Sequence, residues 1–296
     1  MLMKDQSNGE RTSRAARQEA WHPRSMSDGE AQHRLQRDPS SEPTLPDWLR
    51  FFSNVDEQGL LSRLDAFPGA ILIGGCQRSG TTALAEVVAE SDGMVRYWST
   101  PGIAELTAAR ILAGIEPCEP EGRYCFQTTY LGQHIDYYSL SEAFQVIWMI
   151  RNPYSTVRSL VYNWPAAALS EVFSRAVVPT LPRRKWWERR WTAMTQLEKA
   201  CLHYRSKLEQ MLRLFELRTE NKLLAVDYDD LVLHADQRLP VIYEFVGLPY
   251  RLDYARRLHP RSLQKQDDLT PVERRAIEGI CGPIYRRARR LAVPPS

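Results

Sequence analysis

The fold of this chain is indicated most clearly by residues 71–82, which read Ile71-Leu72-Ile73-Gly74-Gly75-Cys76-Gln77-Arg78-Ser79-Gly80-Thr81-Thr82. A short apolar run, typical of a buried strand, leads into a glycine-rich turn, and a helical pattern over residues 81–90 follows. Glycines let the backbone turn sharply and aim successive N–H groups inward, and the helix N-terminus adds partial positive charge. The stretch therefore predicts an anion cradle, suited to phosphate or sulfate, between strand and helix.

The spacing of Gly75 and Gly80 is that of the phosphate-binding loop of P-loop nucleotide enzymes. That loop would continue with Lys, whereas Thr81 stands here and the nearby cation is Arg78. The lysine-and-magnesium apparatus of phosphoryl transfer is therefore incomplete. Taken alone, the loop has a plainer alternative, which is a glycine-rich turn in an α/β sheet that binds no ligand.

Elsewhere, short apolar runs alternate with longer amphipathic stretches. After the strand at 70–73, strands are predicted at 124–128, 146–150 and 223–226, and helices at 155–162, 186–218, 231–246 and 271–290. Alternating strands and helices predict an α/β fold, with a three-layer P-loop-type parallel sheet flanked by helices on both faces.

Composition places a boundary near residue 46. Residues 1–46 contain no Val, Ile or Phe, so they cannot bury enough apolar surface to offset their ordering entropy. We expect a disordered N-terminal segment over 1–46 and one domain over 47–296, which is long enough for a sizeable core.

Charge and cysteine content exclude several classes of protein. The net charge of +3, from 39 basic and 36 acidic residues, gives no reason to expect a nucleic-acid binder. The five cysteines are scattered, so neither a disulfide framework nor a zinc site is predicted, and a reducing compartment is the simpler interpretation. No apolar run is long enough to span a bilayer and no signal peptide is recognisable, so we expect a cytoplasmic protein.

A second cation follows another predicted strand. Arg151-Asn152-Pro153 comes directly after the run 146–150, at the carboxyl end of a strand, where open α/β sheets bind ligands. If a helix begins near Pro153, Ser159 lies about two turns into it and could meet the same anion as Arg151. The alternative is that Arg151 pairs with a surface carboxylate. Together, the two strand ends indicate a ligand with two separated anionic groups.

These motifs resemble those of the sulfotransferase family that uses 3′-phosphoadenosine 5′-phosphosulfate (PAPS). The run 77–82 resembles the family's 5′-phosphosulfate loop, and Arg151-Asn152-Pro153 with Ser159 resembles its 3′-phosphate motif, including the eight-residue spacing. The run Val226-Asp227-Tyr228-Asp229-Asp230-Leu231 is similar to the family's Tyr-Glu-Asp-Leu stretch. The resemblance covers roughly residues 68–290.

The resemblance implies sulfuryl transfer from PAPS to a hydroxyl or amine, with no metal. Cations and N–H groups, Arg78 among them, would stabilise the leaving phosphate. Tyr228 has the alternative of being a buried core tyrosine. The residues that would hold the donor are Gln77, Arg78, Ser79, Gly80, Thr81 and Thr82 at the 5′-phosphosulfate, Arg151 and Ser159 at the 3′-phosphate, Tyr228 at the nucleoside, and Lys265 closing over it.

The acceptor needs a general base within reach. The cytosolic branch of the family offers a Lys and then a His after its second strand, whereas this chain has Phe126-Gln127-Thr128-Thr129-Tyr130. Branches resembling the protein-tyrosine and heparan enzymes use a Glu after the first helix, and the nearest carboxylate there is Glu105. Glu105 and His134 are therefore the candidate catalytic bases, with a solvated helix residue and a surface-loop histidine as the respective alternatives.

This departure leaves two alternative functions, an inactive PAPS-binding module and a P-loop kinase. The acceptor is open among a small-molecule hydroxyl, a carbohydrate and a peptide tyrosine, with neither nucleic acid nor membrane as partner. The basic, tryptophan-rich segment 163–191 would form a lid or pack on the core, and a continuous helix over 186–218 would offer a contact for a homo-oligomer.

Overall fold

The structure, a computed structural model, describes most of the chain from Leu45 onward. Residues 1–44 of the segment predicted to be disordered are outside the described part of the chain, as are His134 and Lys265. The described ranges are 45–56, 59–132, 144–164, 166–172, 184–217, 222–258, 263 and 268–292.

Four parallel strands form one sheet, in the order β2-β1-β3-β4. The strands are β1 (Ala70–Gly75), β2 (Cys125–Gln127), β3 (Phe144–Ile150) and β4 (Leu223–Asp227). Leu72 aligns with Phe126 on one side and Val146 on the other. Because the chain passes from β1 outward to β2 and then back to β3, the topological switch point lies between the carboxyl ends of β1 and β3.

The helices are named in chain order. They are α1 (Leu45–Asn54), α2 (Thr81–Ala89), α3 (Ala104–Leu112), α4 (Pro153–Tyr162), α5 (Arg184–Trp191), α6 (Gln196–Leu217), α7 (Tyr228–Leu233), α8 (Ala235–Val246) and α9 (Pro271–Arg289). Shorter turns occur at Leu64–Ala66, Pro101–Ile103, Ala168–Val172 and Leu252–Arg257. Within the described ranges, no helix combines the length and the apolar character needed to cross a membrane.

Two of the helix predictions are wrong in their continuity. The stretch 186–218 is two helices, because a new helix start intervenes: the Thr195 N–H donates to the Glu198 carboxylate at 2.8 Å, and the Glu198 N–H donates to the Thr195 hydroxyl at 3.2 Å. This reciprocal cap begins α6. The stretch 231–246 also divides, at His234, into α7 and α8. A contact between copies along one continuous helix is therefore not available here, and the homo-oligomer stays a prediction.

The sheet is covered on both faces, as predicted for an α/β fold. Leu72, Val146 and Trp148 lie in one core with side chains of α1, α3, α4, α6 and α9. Ile73 and Ile147 lie in the other, with side chains of α2, α7 and α8. Alternate residues of each strand therefore enter opposite layers. Helices fill both faces because the central strands are apolar at every position except Gln145.

Candidate active site

The glycine-rich turn after β1 has an unusual backbone. Arg78 has φ +71° and Gly80 φ +91°, and among the described residues Arg78 is the one non-glycine in this region. A Cβ built on Gly80 would lie 1.9 Å from the Tyr228 ring. Glycine at 80 is therefore required both by the backbone angle and by the close approach of the ring, while the φ of Arg78 marks strain of the kind that clusters at binding sites.

Hydroxyl and amide groups brace this turn. The Ser79 hydroxyl donates to the carbonyl of Cys76 at 2.6 Å and is buried, so it closes the turn on itself. The Gln127 amide donates to the hydroxyls of Thr81 and Thr82 at 3.3 and 3.0 Å, at the start of α2. The first N–H groups of α2 have no intrahelical acceptor, so they are the backbone donors that the loop presents to an anion.

Two arginines and one serine converge beside the loop. The Arg78 Nε donates to the Ser159 hydroxyl at 2.9 Å, and its guanidinium lies 5.6 Å from the Trp164 ring centroid. The Arg151 Nη1 donates to the backbone carbonyl of Arg78 at 3.3 Å. Burial lowers the pKa of Arg78, and the neighbouring Arg151 cation lowers it further. Two like charges held this close favour a bound anion.

The two predicted anion sites adjoin each other in the structure. Ser159, expected to share an anion with Arg151, is hydrogen-bonded to Arg78 of the other motif. The ends of β1 and β3 therefore form one continuous site at the switch point, which still extends from the start of α2 to α4.

Arg151 is held in place by the first turn of α7, which directly follows β4. It is buried, its Nε donates to the Asp229 carboxylate at 3.2 Å, and its guanidinium lies 4.8 Å from the Tyr228 ring centroid. The Asn152 side chain donates to the same carboxylate at 2.6 Å and accepts from the Ser155 N–H at 2.8 Å, which caps α4. A half-buried carboxylate beside the site, that of Asp229, is thus an ion-pair partner of Arg151.

Tyr228 lies between the two motifs. Its ring is buried against Gly80 on the loop side and contacts the Arg151 guanidinium. In this position the ring packs against both elements, and its contact with the nucleoside stays a prediction.

Glu105 lies near the carboxyl end of β2, in the first turn of α3. Its Oε1 accepts hydrogen bonds from the Thr129 hydroxyl and from the Tyr130 N–H, the latter at 2.7 Å. Burial raises the pKa of Glu105 to about 7, although the hydrogen bonds from Thr129 and Tyr130 and the cation of Lys207 act in the opposite direction. The other candidate base, His134, and the donor-closing Lys265 lie outside the described residues.

A row of basic side chains on α6 was not predicted from the sequence. Lys199, His203 and Lys207, the basic stripe of α6, are all buried. The His203 Nε2 donates to the Gln77 Oε1 at 2.6 Å, and the Lys207 Nζ donates to the Thr129 carbonyl at 2.6 Å. Their spacing of four residues places them on the apolar face of the helix. The sequence could have revealed them, because three basic residues recur at helical spacing among the apolar ones.

The donor set fits a phosphate- or sulfate-bearing group. It combines two guanidinium groups, the hydroxyls of the first turn of α2 and a helix N-terminus. The Gln77 Nε2 is buried in the loop with no hydrogen-bond partner among the described residues, which leaves a donor beside the anion cradle. In the same part of the chain, no group of three His, Cys, Asp or Glu side chains could hold a metal ion.

The fold and the loop define an α/β protein with a candidate anion site at its switch point. The sulfotransferase domain family matches residues 68–270, which is more than half of the chain. The chain therefore belongs to the sulfotransferase domain family, which is a family of transferases. No curated protein sequence matches it significantly.

Solved structures of sulfotransferases are similar at low identity. The sulfotransferase domain from the curacin biosynthetic pathway is 14% identical, with 72% of this chain and 97% of that chain covered and a TM-score of 0.45. Mouse sulfotransferase SULT7A1 complexed with PAP is 17% identical, with 79% and 94% covered and a TM-score of 0.45. Sulfotransferase STF9 from Mycobacterium avium is 11% identical, with 82% and 83% covered and a TM-score of 0.46.

Proposed function

We propose that this chain transfers a sulfuryl group from PAPS to a hydroxyl or amine of an acceptor. One observation carries the proposal: Arg78, Arg151 and Ser159 converge on the anion loop at the switch point of a chain that belongs to the sulfotransferase family. An anion with more than one charged group would relieve the repulsion between the two guanidinium groups.

The donor would lie along this site from α2 to α4. Its 5′-phosphosulfate would contact Arg78 and the N–H groups that begin α2, and its 3′-phosphate would contact Arg151 and Ser159. Asp229 orients Arg151 through their ion pair at 3.2 Å. Because negative charge grows on the leaving phosphate during transfer, Arg78 and the helix N-terminus would stabilise the transition state more than the ground state.

Glu105 would act as the general base. As the acceptor oxygen or nitrogen forms its bond to sulfur, its proton passes to Glu105, while the bond from sulfur to the leaving phosphate oxygen breaks with its electron pair. The carboxylate is held by the hydrogen bonds that its Oε1 accepts from the Thr129 hydroxyl and the Tyr130 N–H. A pKa raised by burial to about 7 suits a base that works near neutral pH.

Two measurements test the donor and the activity in turn. Calorimetric titration with 3′-phosphoadenosine 5′-phosphate, beside ATP with magnesium, identifies the nucleotide class. Incubation with PAPS and a panel of phenol, sugar and peptide acceptors, followed by mass spectrometry, then detects addition of one SO₃ group. Tight binding of ATP with magnesium and no response to the bisphosphate would contradict the proposal and favour a kinase.

The inactive binding module has a specific observation in its favour. Thr128 and Thr129 follow β2, at the place where the resemblance leads one to expect Lys and His. Binding of the bisphosphate without transfer to any acceptor class, including small phenols, would favour this alternative.

A further inference from the structure

One member of the basic stripe of α6, Lys207, is linked to the candidate base through the turn at Thr129. Lys207 is fully buried, with 1% of its surface exposed. A buried ammonium is costly unless nearby groups compensate its charge and accept its hydrogen bonds. The contacts of Lys207 therefore indicate what the charge does.

Lys207 and Glu105 hold the same turn from two sides. The Lys207 Nζ donates to the Thr129 carbonyl at 2.6 Å. The Thr129 hydroxyl donates to the Glu105 Oε1, and the next N–H, of Tyr130, donates to the same oxygen at 2.7 Å. One residue thus connects a buried cation to the carboxylate, and the turn cannot move without disturbing both.

We propose that Lys207 is a positioning residue of the sulfotransferase site, which anchors the Thr129–Tyr130 turn and supplies the positive charge that keeps Glu105 ionised. This inference rests on the proposed role of Glu105 as base.

The groups around Glu105 support this assignment. Among the described residues of the segments packed on it, Tyr97 and Tyr130 are the titratable groups that face it. Burial raises the pKa of both phenols well above the usual value, so they are neutral at pH 7. Lys207 faces it from α6 and lowers the pKa of Glu105, together with the hydrogen bonds of the turn, against the larger effect of burial.

The groups around Lys207 point the same way. Burial raises the pKa of Cys76 to about 12, and burial followed by the Lys207 charge holds the pKa of His203 well below its usual value. Both neighbours are therefore uncharged at pH 7. Burial lowers the pKa of Lys207 to about 8, and a negative charge on Glu105 raises it. The ammonium is therefore mostly charged at neutral pH, and the carboxylate form of Glu105 is its counter-charge.

The decisive experiment is a pH titration of the Glu105 carboxyl by carbon-13 NMR in the full chain. Its signal is assigned by its loss in Glu105→Gln. Lys207→Gln removes the charge but keeps an N–H donor for the Thr129 carbonyl. Lys199→Gln is the matched control, because Lys199 lies on the same face of α6 and donates to the Ser170 hydroxyl at 3.0 Å, away from the turn.

We expect Lys207→Gln to raise the midpoint of Glu105 by about one pH unit, as loss of a neighbouring opposite charge does, and Lys199→Gln to leave it in place. Equal midpoints in the two variants would overturn the proposal. If Lys207→Gln does not fold, Glu105→Gln serves instead, because the coupling between the two charges is reciprocal. The pH midpoint of the Lys207 titration, followed at its ε-carbon signal, must then fall by the same amount. An unchanged midpoint would overturn the proposal.

Turnover separates this inference from the proposed function. With a midpoint one unit higher, Lys207→Gln should be about fivefold slower at pH 7 and recover at higher pH, whereas a purely structural defect would lower the rate at every pH. Near-normal turnover of Glu105→Gln would remove Glu105 as base, yet the NMR titration would still report whether Lys207 keeps it ionised.

Discussion

Substitution of Gly80 by alanine is the sharpest single test of the loop. The residue has φ +91°, and the added methyl would lie 1.9 Å from Cδ2 of the Tyr228 ring. The ring cannot swing away without loss of its contact with the Arg151 guanidinium, 4.8 Å from the ring centroid. The substitution therefore strains the loop and disturbs the neighbouring arginine together.

The expected destabilisation has two parts that a matched control separates. A left-handed backbone costs an alanine about 1–2 kcal/mol, and overpacking against a ring adds about 1–3 kcal/mol. Gly93 has φ +84° and no heavy atom within 4 Å of its built Cβ, so Gly93→Ala should lose only the first part. Gly80→Ala should therefore lose about 1–3 kcal/mol more than Gly93→Ala.

The assay is urea unfolding followed by circular dichroism, with calorimetric titration of 3′-phosphoadenosine 5′-phosphate on the same samples. Gly80→Ala should also weaken nucleotide binding, whereas Gly93→Ala should bind normally. Equal unfolding free energies and equal affinities for the two variants would refute the packing of Tyr228 against the loop.

Three further substitutions test other parts of the site. Arg151→Ala should weaken binding of the bisphosphate by about 1.5–3 kcal/mol, the value of a charge-assisted contact, and unchanged affinity would contradict its role at the 3′-phosphate. Asn152→Ala should cost about 1 kcal/mol of stability through the lost cap of α4, and it should also weaken nucleotide binding. Thr270→Ala is the control: it removes the capping box of α9 and should lower stability without changing nucleotide binding. Turnover of the wild-type chain should rise with pH through about 7, because burial raises the pKa of Glu105 and only the carboxylate accepts a proton. Glu105→Gln should be slower by a factor of about 10²–10⁴ and should lose this rise. A rise that persists in Glu105→Gln would show that another group causes the pH dependence.

Local patterns predicted the sheet and the loop. Each strand is a short apolar run, and both layers of the core follow from strands that are apolar on two faces. The glycines and Arg78 of the loop are contiguous, so their chemistry is visible without knowledge of the fold. The motif at Arg151 needed only one further assumption, that a helix begins at Pro153, and the structure confirms it.

Contacts between distant segments could not be predicted in this way. The ion pair of Arg151 with Asp229 joins residues 78 positions apart, and the contact between His203 and Gln77 spans 126. A basic residue on an apolar helix face shows only that something compensates it, not which group does so. The break of the helix pattern before α6 was local, but the Thr195–Glu198 cap was hidden within an otherwise amphipathic stretch.

The central claim is that the convergent arginines hold a nucleotide with both a 5′ and a 3′ anionic group. Its most direct test is calorimetric titration of the wild-type chain with 3′-phosphoadenosine 5′-phosphate beside adenosine 5′-phosphate, which lacks the 3′-phosphate. We expect the bisphosphate to bind more tightly by about 1.5–3 kcal/mol, the value of a charge-assisted contact, and we expect Arg151→Ala to abolish this preference. Equal affinity for the two nucleotides in the wild-type chain would contradict it.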